Sequence, residues 1–255
     1  MSAKQERVIG VIPARWASTR LPGKALVPIC GKPLIQWVLE RTRQAERLDE
    51  VLVATDDERI RSVVEGLGGV AVMTRVDHPS GTDRVAEAVA DREAGVVINI
   101  QGDEPLIDPG LINRLAEVML ADHEWDMATA ATAIGSVTEL NKPSVVKVVL
   151  GERGRALYFS RSVIPFVRDA APEGVRHLRH IGIYAYRRAF LDRLVKAPPC
   201  ALEQAEKLEQ LRALYLGGRM TVVETDEVGL GVDTPEDVVL AEAALRQCGL
   251  AKVES

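Results

Sequence analysis

Four short, almost continuously apolar runs decide most of what this chain can become: Val8-Ile9-Gly10-Val11-Ile12, Val51-Leu52-Val53-Ala54, Val70-Ala71-Val72-Met73 and Val96-Val97-Ile98-Asn99-Ile100. Runs that are apolar at nearly every position, rather than at alternate ones, suit strands covered on both faces, and such strands pair in parallel. Helical patterns separate them. Pro33 opens one with Leu34, Trp37, Val38 and Arg41 at helical spacing, a second fills 57–67 before Gly68-Gly69, and Val85, Ala88 and Val89 mark a third. Asp108-Pro109 caps a fourth, which carries Ile112, Leu115 and Met119. Alternating strands and helices predict an α/β fold with a mostly parallel central sheet covered by helices.

From about Met127 the rhythm changes. Residues 145–150, the turn Gly151-Glu152-Arg153-Gly154 and residues 156–159 predict an antiparallel hairpin, and 180–187 predicts a further strand. Pro198-Pro199 precedes a helix expected over about 202–216, where Glu203, Glu206 and Glu209 recur as a solvated stripe. A strand at 221–223 and a helix from Pro235 to Gln247 close the chain. With no repeat and no linker-like run, 1–255 is expected to form a single domain with a β-rich elaboration at about 127–190. The hairpin carries Val146, Val148, Val149, Tyr158 and Phe159 on both faces. Such a hairpin is a liability unless another surface covers it, either this chain's own core or a second copy.

Charge narrows the function classes. Across 255 residues, 32 basic and 37 acidic side chains leave a net charge of −5, with no global field to attract nucleic acid or an anionic membrane. No apolar run approaches the roughly 20 residues of a membrane span, and the first residues carry no signal-peptide pattern, so a cytoplasmic location is expected. Cys30, Cys200 and Cys248 have no metal-like spacing and read as reduced thiols. His177 and His180 lack the third His or Cys of a metal site.

Against that acidic background, the loop after the first strand stands out. Pro13-Ala14-Arg15-Trp16-Ala17-Ser18-Thr19-Arg20-Leu21-Pro22-Gly23-Lys24 places Arg15, Arg20 and Lys24 beyond the carboxyl end of a strand, where open α/β sheets bind ligands. Arginine forks and a lysine point charge suit a polyphosphate. Neither a Walker A loop nor a Gly-x-Gly-x-x-Gly fingerprint occurs. In His78-Pro79-Ser80-Gly81-Thr82-Asp83-Arg84, Ser80 and Asp83 form a capping pattern whose free amides also suit an anion or a base edge. Gln101-Gly102-Asp103-Glu104-Pro105 follows the fourth strand, and Gly231-Val232-Asp233-Thr234-Pro235-Glu236-Asp237 follows the last. Thr234 can cap, Pro235 fits the first helical turn and Asp237 favours the dipole, which leaves Asp233 as a candidate ligand. Two carboxylates near a polyphosphate require a divalent cation between them. Without nucleotide they repel, so Asp→Asn at either position is expected to keep or slightly raise the melting temperature. Cationic loop and acidic turns together point to magnesium-assisted phosphoryl or nucleotidyl transfer.

These motifs, with Tyr158-Phe159-Ser160-Arg161, Arg179-His180-Ile181-Gly182-Ile183-Tyr184 and Lys207-Leu208-Glu209-Gln210-Leu211-Arg212, resemble in colinear order the bacterial 3-deoxy-manno-octulosonate (Kdo) cytidylyltransferases. The resemblance implies a glycosyltransferase-A-like (Rossmann-like) nucleotidyltransferase fold, usually a homodimer, with a dimerisation and sugar-binding elaboration in the second half. It implies that CTP and Kdo are joined into CMP-Kdo and pyrophosphate, with Mg2+, for lipopolysaccharide synthesis. An 8-amino analogue of Kdo is the alternative substrate. A nucleotide-binding sensor is the non-enzymatic alternative, against which the retained Asp103 and Asp233 argue. By the same resemblance, Pro13, Ala14, Arg15, Arg20, Lys24, Ser80 and Gly81 bind the nucleotide. Gln101, Arg161, His180, Tyr184 and Glu209 form the sugar-acid pocket. Asp103 and Asp233 hold the metal and, with Lys24, carry catalysis. Cys200-Ala201-Leu202-Glu203 departs from the family's usual Pro-Leu-Glu opening.

Overall fold

The computed structural model describes residues 6–18, 20–170, 173–227 and 229–251. Thr19 of the cationic loop, and residues 1–5 of the N-terminal segment read above, lie outside the described residues. The chain divides into two compact units, one made of Met1–Ala116 with Gly229–Ser255 and the other of Glu117–Val228.

In the first unit the order is β1 (Val8–Ala14), β2 (Pro28–Ile29), β3 (Lys32–Pro33), α1 (Leu34–Thr42), β4 (Glu50–Thr55), α2 (Glu58–Gly66), β5 (Val70–Met73), α3 (Gly81–Ala88), β6 (Val96–Asn99) and the start of α4 (Pro109–Ala121), whose residues from Glu117 on are counted in the second. The four apolar runs are β1, β4, β5 and β6. They pair in parallel in the order β6-β1-β4-β5. Val8, Ile9, Val11, Ile12, Leu52, Val53, Val96, Val97 and Ile98 are all buried, as covering on both faces requires. β5 departs from the expectation, because Val70 and Met73 at its ends are exposed. It pairs with β4 alone among the described strands, and an outermost strand has less to cover it. Two helix starts follow the caps read from sequence, Ser80 accepting from the Asp83 amide and Asp108 from that of Leu111, while Asp57, expected as the first helical residue, is itself the cap and accepts from the Arg59 amide.

The second unit contains β7 (Met127–Ala133), α5 (Val137–Leu140), β8 (Lys147–Leu150), β9 (Ala156–Ser160), β10 (Leu178–Arg187), α6 (Arg188–Lys196), α7 (Ala201–Glu206), α8 (Gln210–Tyr215) and β11 (Met220–Glu224). β7 runs parallel to β11 and antiparallel to β10, and β8 pairs antiparallel with both β10 and β9. The predicted hairpin is therefore β8–β9. Val148, Ala156 and Phe159 are buried while Leu157 is exposed, so the chain's own core covers one face. Lys147 is wholly buried, and its ammonium donates to the carbonyls of Lys142 (3.0 Å), Val145 (2.8 Å) and Arg161 (2.7 Å). The β10–β7 register shifts between Ile181 and Tyr184. Thr129 Oγ1 sits at that irregularity, 2.7 Å from the Ile183 carbonyl and 3.2 Å from that of Ile181.

The single helix expected over about 202–216 is two. α7 stops at Glu206, Lys207 adopts a left-handed conformation (φ 54°), and α8 begins at Gln210. The break turns Leu208 inward, where it is buried. Nor is the glutamate stripe a solvated face. Glu206 accepts from Ser160 Oγ (2.6 Å) and the Arg161 amide (3.0 Å), while Glu203 and Glu209 pair with Arg212 at 3.0 and 3.5 Å. Ser160 and Arg161, remote in sequence, decide where Glu206 points, whereas Glu203 and Glu209 turn to the nearby Arg212.

The chain returns to the first unit in α9 (Pro235–Gln247), whose capping box is made by Thr234 and Asp237.

Candidate active site

β1 and β6 are adjacent parallel strands, so the loops leaving their carboxyl ends emerge side by side. Gly102 permits their contact, since a Cβ there would lie 2.6 Å from the Pro13 carbonyl oxygen. The acidic turn before α9 is drawn to the same place by a hydrogen bond from the Val232 amide to the Asp103 carbonyl (2.9 Å). The result is a cavity of about 410 Å³, lined by Pro13, Ala14, Arg15, Arg20, Lys24, Ser80, Gly81, Gln101, Asp103 and Asp233. Every residue assigned above to the nucleotide, and both metal candidates, are thus brought together.

Lys24 is the electrostatic centre of this cavity. Its ammonium lies 2.6 Å from Asp103 Oδ2 and 3.0 Å from Asp233 Oδ1. Burial alone would lower the lysine pKa, but the two carboxylates outweigh it and hold the group above its ordinary value. Arg20 meets the other oxygen of Asp233 at 2.8 Å. The repulsion expected between Asp103 and Asp233 is therefore already offset by a shared ammonium, and Asp→Asn at either position breaks an ion pair rather than relieving a clash. Asp237 is occupied elsewhere: the amides of Asp233 and Thr234 donate to its carboxylate at 2.9 Å each, and the Asp233 amide foremost holds it below the usual carboxylate range. Asp233 is left facing the cations, as the elimination among 233–237 expects.

No group of three or more His, Cys, Asp and Glu side chains poised for a metal occurs among the described residues. Two hard carboxylate oxygens that already converge on one cation do fit magnesium, which takes one or two carboxylates and completes its shell with phosphate oxygens and water.

Ser80 Oγ accepts from the Asp83 amide (3.2 Å) and donates to its carboxylate (2.6 Å), so the capping reading holds in a residue that also lines the cavity. Sequence reasoning missed two other walls. His78 lines the cavity with its imidazole almost wholly buried, its Nε2 on Glu87. Arg84 lines it too, with its guanidinium 2.8 Å from Asp56. Neither carries a local sequence signal, because Glu87 and Asp56 become their partners only in three dimensions.

Of the residues assigned to the sugar acid, Gln101 lines the cavity of the first unit, while Arg161, His180, Tyr184 and Glu209 belong to the second. His180 and Tyr184 stand on β10 in a row of rings with Phe159 and Tyr186, at centroid spacings of 4.9, 5.5 and 6.0 Å. His180 Nε2 is 2.9 Å from Thr129 Oγ1. Burial pushes its imidazole pKa down to about 3, and burial, with the nearby Glu209 charge, raises that of Tyr184. Both side chains are neutral across ordinary pH. The Arg161 guanidinium donates to the carbonyls of Glu206 (2.7 Å), Pro143 (3.0 Å) and Lys207 (3.4 Å).

Comparison with known proteins agrees with this geometry. A family model described as Cytidylyltransferase matches residues 9–222. A 3-deoxy-manno-octulosonate cytidylyltransferase of Bdellovibrio bacteriovorus is 49% identical over 96% of this chain and all of its own length. Another, of Syntrophotalea carbinolica, is 51% identical over 94% of this chain and 98% of its own. Among solved structures, a CMP:2-keto-3-deoxy-manno-octonic acid synthetase complexed with CTP superposes with a TM-score of 0.90 at 47% identity, covering 94% of this chain and 99% of that one. A 4-diphosphocytidyl-2C-methyl-D-erythritol synthase from Anaerococcus prevotii, at 13% identity and a TM-score of 0.65, shares the fold alone.

Proposed function

This chain belongs to the cytidylyltransferase family and, within it, to the 3-deoxy-manno-octulosonate cytidylyltransferases, and on that premise we propose that it joins CTP and Kdo into CMP-Kdo and pyrophosphate, for lipopolysaccharide synthesis. One observation carries the reading: an ammonium held between two carboxylates, in a cavity that the cationic loop lines with Arg15 and Arg20. The names of the relatives favour Kdo over its 8-amino analogue.

In this mechanism the anomeric hydroxyl of Kdo attacks the α-phosphorus of CTP in line. An oxygen–phosphorus bond forms there, the hydroxyl gives its proton up to solvent water, the bond from the α-phosphorus to the bridging oxygen of the β-phosphate breaks, and pyrophosphate leaves with that oxygen. Arg15, Arg20 and Lys24 bind the phosphates, and Arg20 and Lys24 donate hydrogen bonds to the leaving oxygens as charge builds on them. Main chain at Pro13, Ala14, Ser80 and Gly81 meets the nucleoside. Asp103 and Asp233 are the residues that would hold magnesium, which when bound lowers the charge on the attacked phosphate. For Kdo the reading keeps Gln101, Arg161, His180, Tyr184 and Glu209, of which His180 and Tyr184 offer neutral hydrogen-bonding groups.

The reading also keeps one nucleotidyltransferase domain over 1–255, a cytoplasmic location and a homodimer through the hairpin. Exposed Leu157 and Phe166 and half-buried Val149 and Tyr158 support the dimer. A mass of one chain by light scattering at micromolar concentration would exclude it.

A pyrophosphate-release assay tests the activity. Release should require both CTP and Kdo, and UTP should give a kcat/KM lower by on the order of 10²-fold, since a mismatched base edge leaves buried polar groups unpaired. Equal kcat/KM for the two nucleotides would reject the base assignment, and release without Kdo would reject the acceptor.

A further inference from the structure

The mechanism leaves unused a buried ion pair beside the cationic loop, one member of which, Arg84, also lines the cavity. The side chains of Asp56, after β4, and Arg84, in α3, are only 6% and 4% exposed and meet at 2.8 Å. Arg84 also donates to Thr74 Oγ1 (2.6 Å), which in turn donates to the Thr55 carbonyl (3.0 Å). The other oxygen of Asp56 accepts from the main-chain amide of Trp16 (3.1 Å), the residue that follows Arg15. Trp16 in turn closes the loop on itself. Its carbonyl accepts from the Gly23 amide (3.4 Å), and a Cβ on Gly23 would lie 2.8 Å from the indole Cη2. Gly23 has a left-handed φ of 66°, so the indole edge lies against a position that favours glycine on two grounds. The Arg59 guanidinium covers the indole ring at 3.3 Å. Lys24 follows Gly23 directly, and its ammonium bridges Asp103 and Asp233.

A buried pair of this kind is costly to desolvate and gives little net stability by itself. Here it has a second output, an anchored amide at one end of the loop whose other end carries Lys24. We propose that Asp56, Arg84 and Trp16 form a positioning device that sets Arg15, Arg20 and Lys24 in place for the triphosphate before it binds. The inference rests on the reading that this cavity takes CTP. Asp56 and Trp16 act through the loop, and Arg84 acts by holding Asp56. Small displacements of such a clamp are expensive, because phosphoryl transfer depends on alignment more than on covalent chemistry.

The test uses the full-length enzyme with Trp16→Leu, Trp16→Phe, Asp56→Asn and the Trp16→Leu/Asp56→Asn double variant. KM for each substrate, kcat and Tm are read for all. Trp16 is only half-buried, so Trp16→Leu should leave Tm nearly unchanged while raising the KM for CTP about tenfold and sparing the KM for Kdo. Trp16→Phe, which keeps a ring against Gly23, should recover most of the loss. The double variant should be little worse in kcat/KM than the poorer single one, as for residues acting as a unit. If Asp56→Asn does not fold, the two Trp16 variants still decide the matter. An unchanged KM for CTP in Trp16→Leu, or a Tm loss with wild-type kinetics in the folded fraction, overturns the positioning role and leaves the functional reading standing. Absence of CTP-dependent pyrophosphate release in the wild type overturns both.

Discussion

The cavity of the first unit and the ring row of the second place polar groups in opposite ways. Around Lys24 the side chains stand at loop positions, partly open to solvent, ionised, and paired with one another across the cavity. Along β10, His180 and Tyr184 sit in the strand itself, and burial holds both neutral. Charges can be kept at a protein surface only where solvent or counter-charges compensate them, and such groups can exchange their partners for phosphates. Neutral groups tolerate burial and recognise by hydrogen-bond direction and shape. A triphosphate and a polyhydroxylated sugar ask for these two kinds of surface.

The sharpest way to break the contrast is to remove charge from the first unit. Asp103→Asn and Asp233→Asn should each lower kcat by about 10²- to 10⁴-fold, and the double variant should be little worse than either single one. Losses that multiply would mean separate roles. Their apo Tm should drop only slightly, since Lys24 keeps one partner and partly exposed ion pairs contribute at most about 1 kcal/mol. A rise in Tm would restore the repulsion expected from sequence.

The neutral region should respond through a different constant. His180→Ala should raise the KM for Kdo about tenfold while leaving CTP affinity, read by calorimetry, unchanged, as removal of uniform binding does. Arg161→Ala should do the same with an added loss of Tm, because its guanidinium also ties three carbonyls together. Loss of CTP binding in either variant would dissolve the division between the two regions. The smallest effect is on acid stability. His180 has a folded pKa of about 3 against an ordinary value of 6.5. The unfolded chain binds the extra proton between those values, so stability falls as pH drops below 6.5. His180→Gln should therefore lose less Tm than the wild type between pH 7 and 4.5, by about a few degrees. Parallel losses would mean that His180 is not the buried neutral group.

How much of this is legible without coordinates varies with the range of the interaction. The parallel sheet, the caps at Ser80 and Asp108 and the hairpin are written in local patterns, and they appear within a residue or two of their expected ends. The cavity of the first unit is legible because strand ends collect ligands, whatever holds them there. What escapes are pairs joined only by the fold: Arg84 with Asp56, Glu206 with Ser160 and Lys24 with both aspartates. The break at Lys207 escapes for a related reason. A lysine in a left-handed conformation has no compositional mark, and burying Leu208 overrides helix propensity there.

Lys147 has a consequence of another sort. With its amine sealed among three carbonyls, it is out of reach of an acylating reagent while β8 and β9 stay closed, unlike the lysines at the surface. Its labelling rate under native conditions thus becomes a clock for the opening of that hairpin, read by mass spectrometry on one peptide and independent of whether the enzyme turns over.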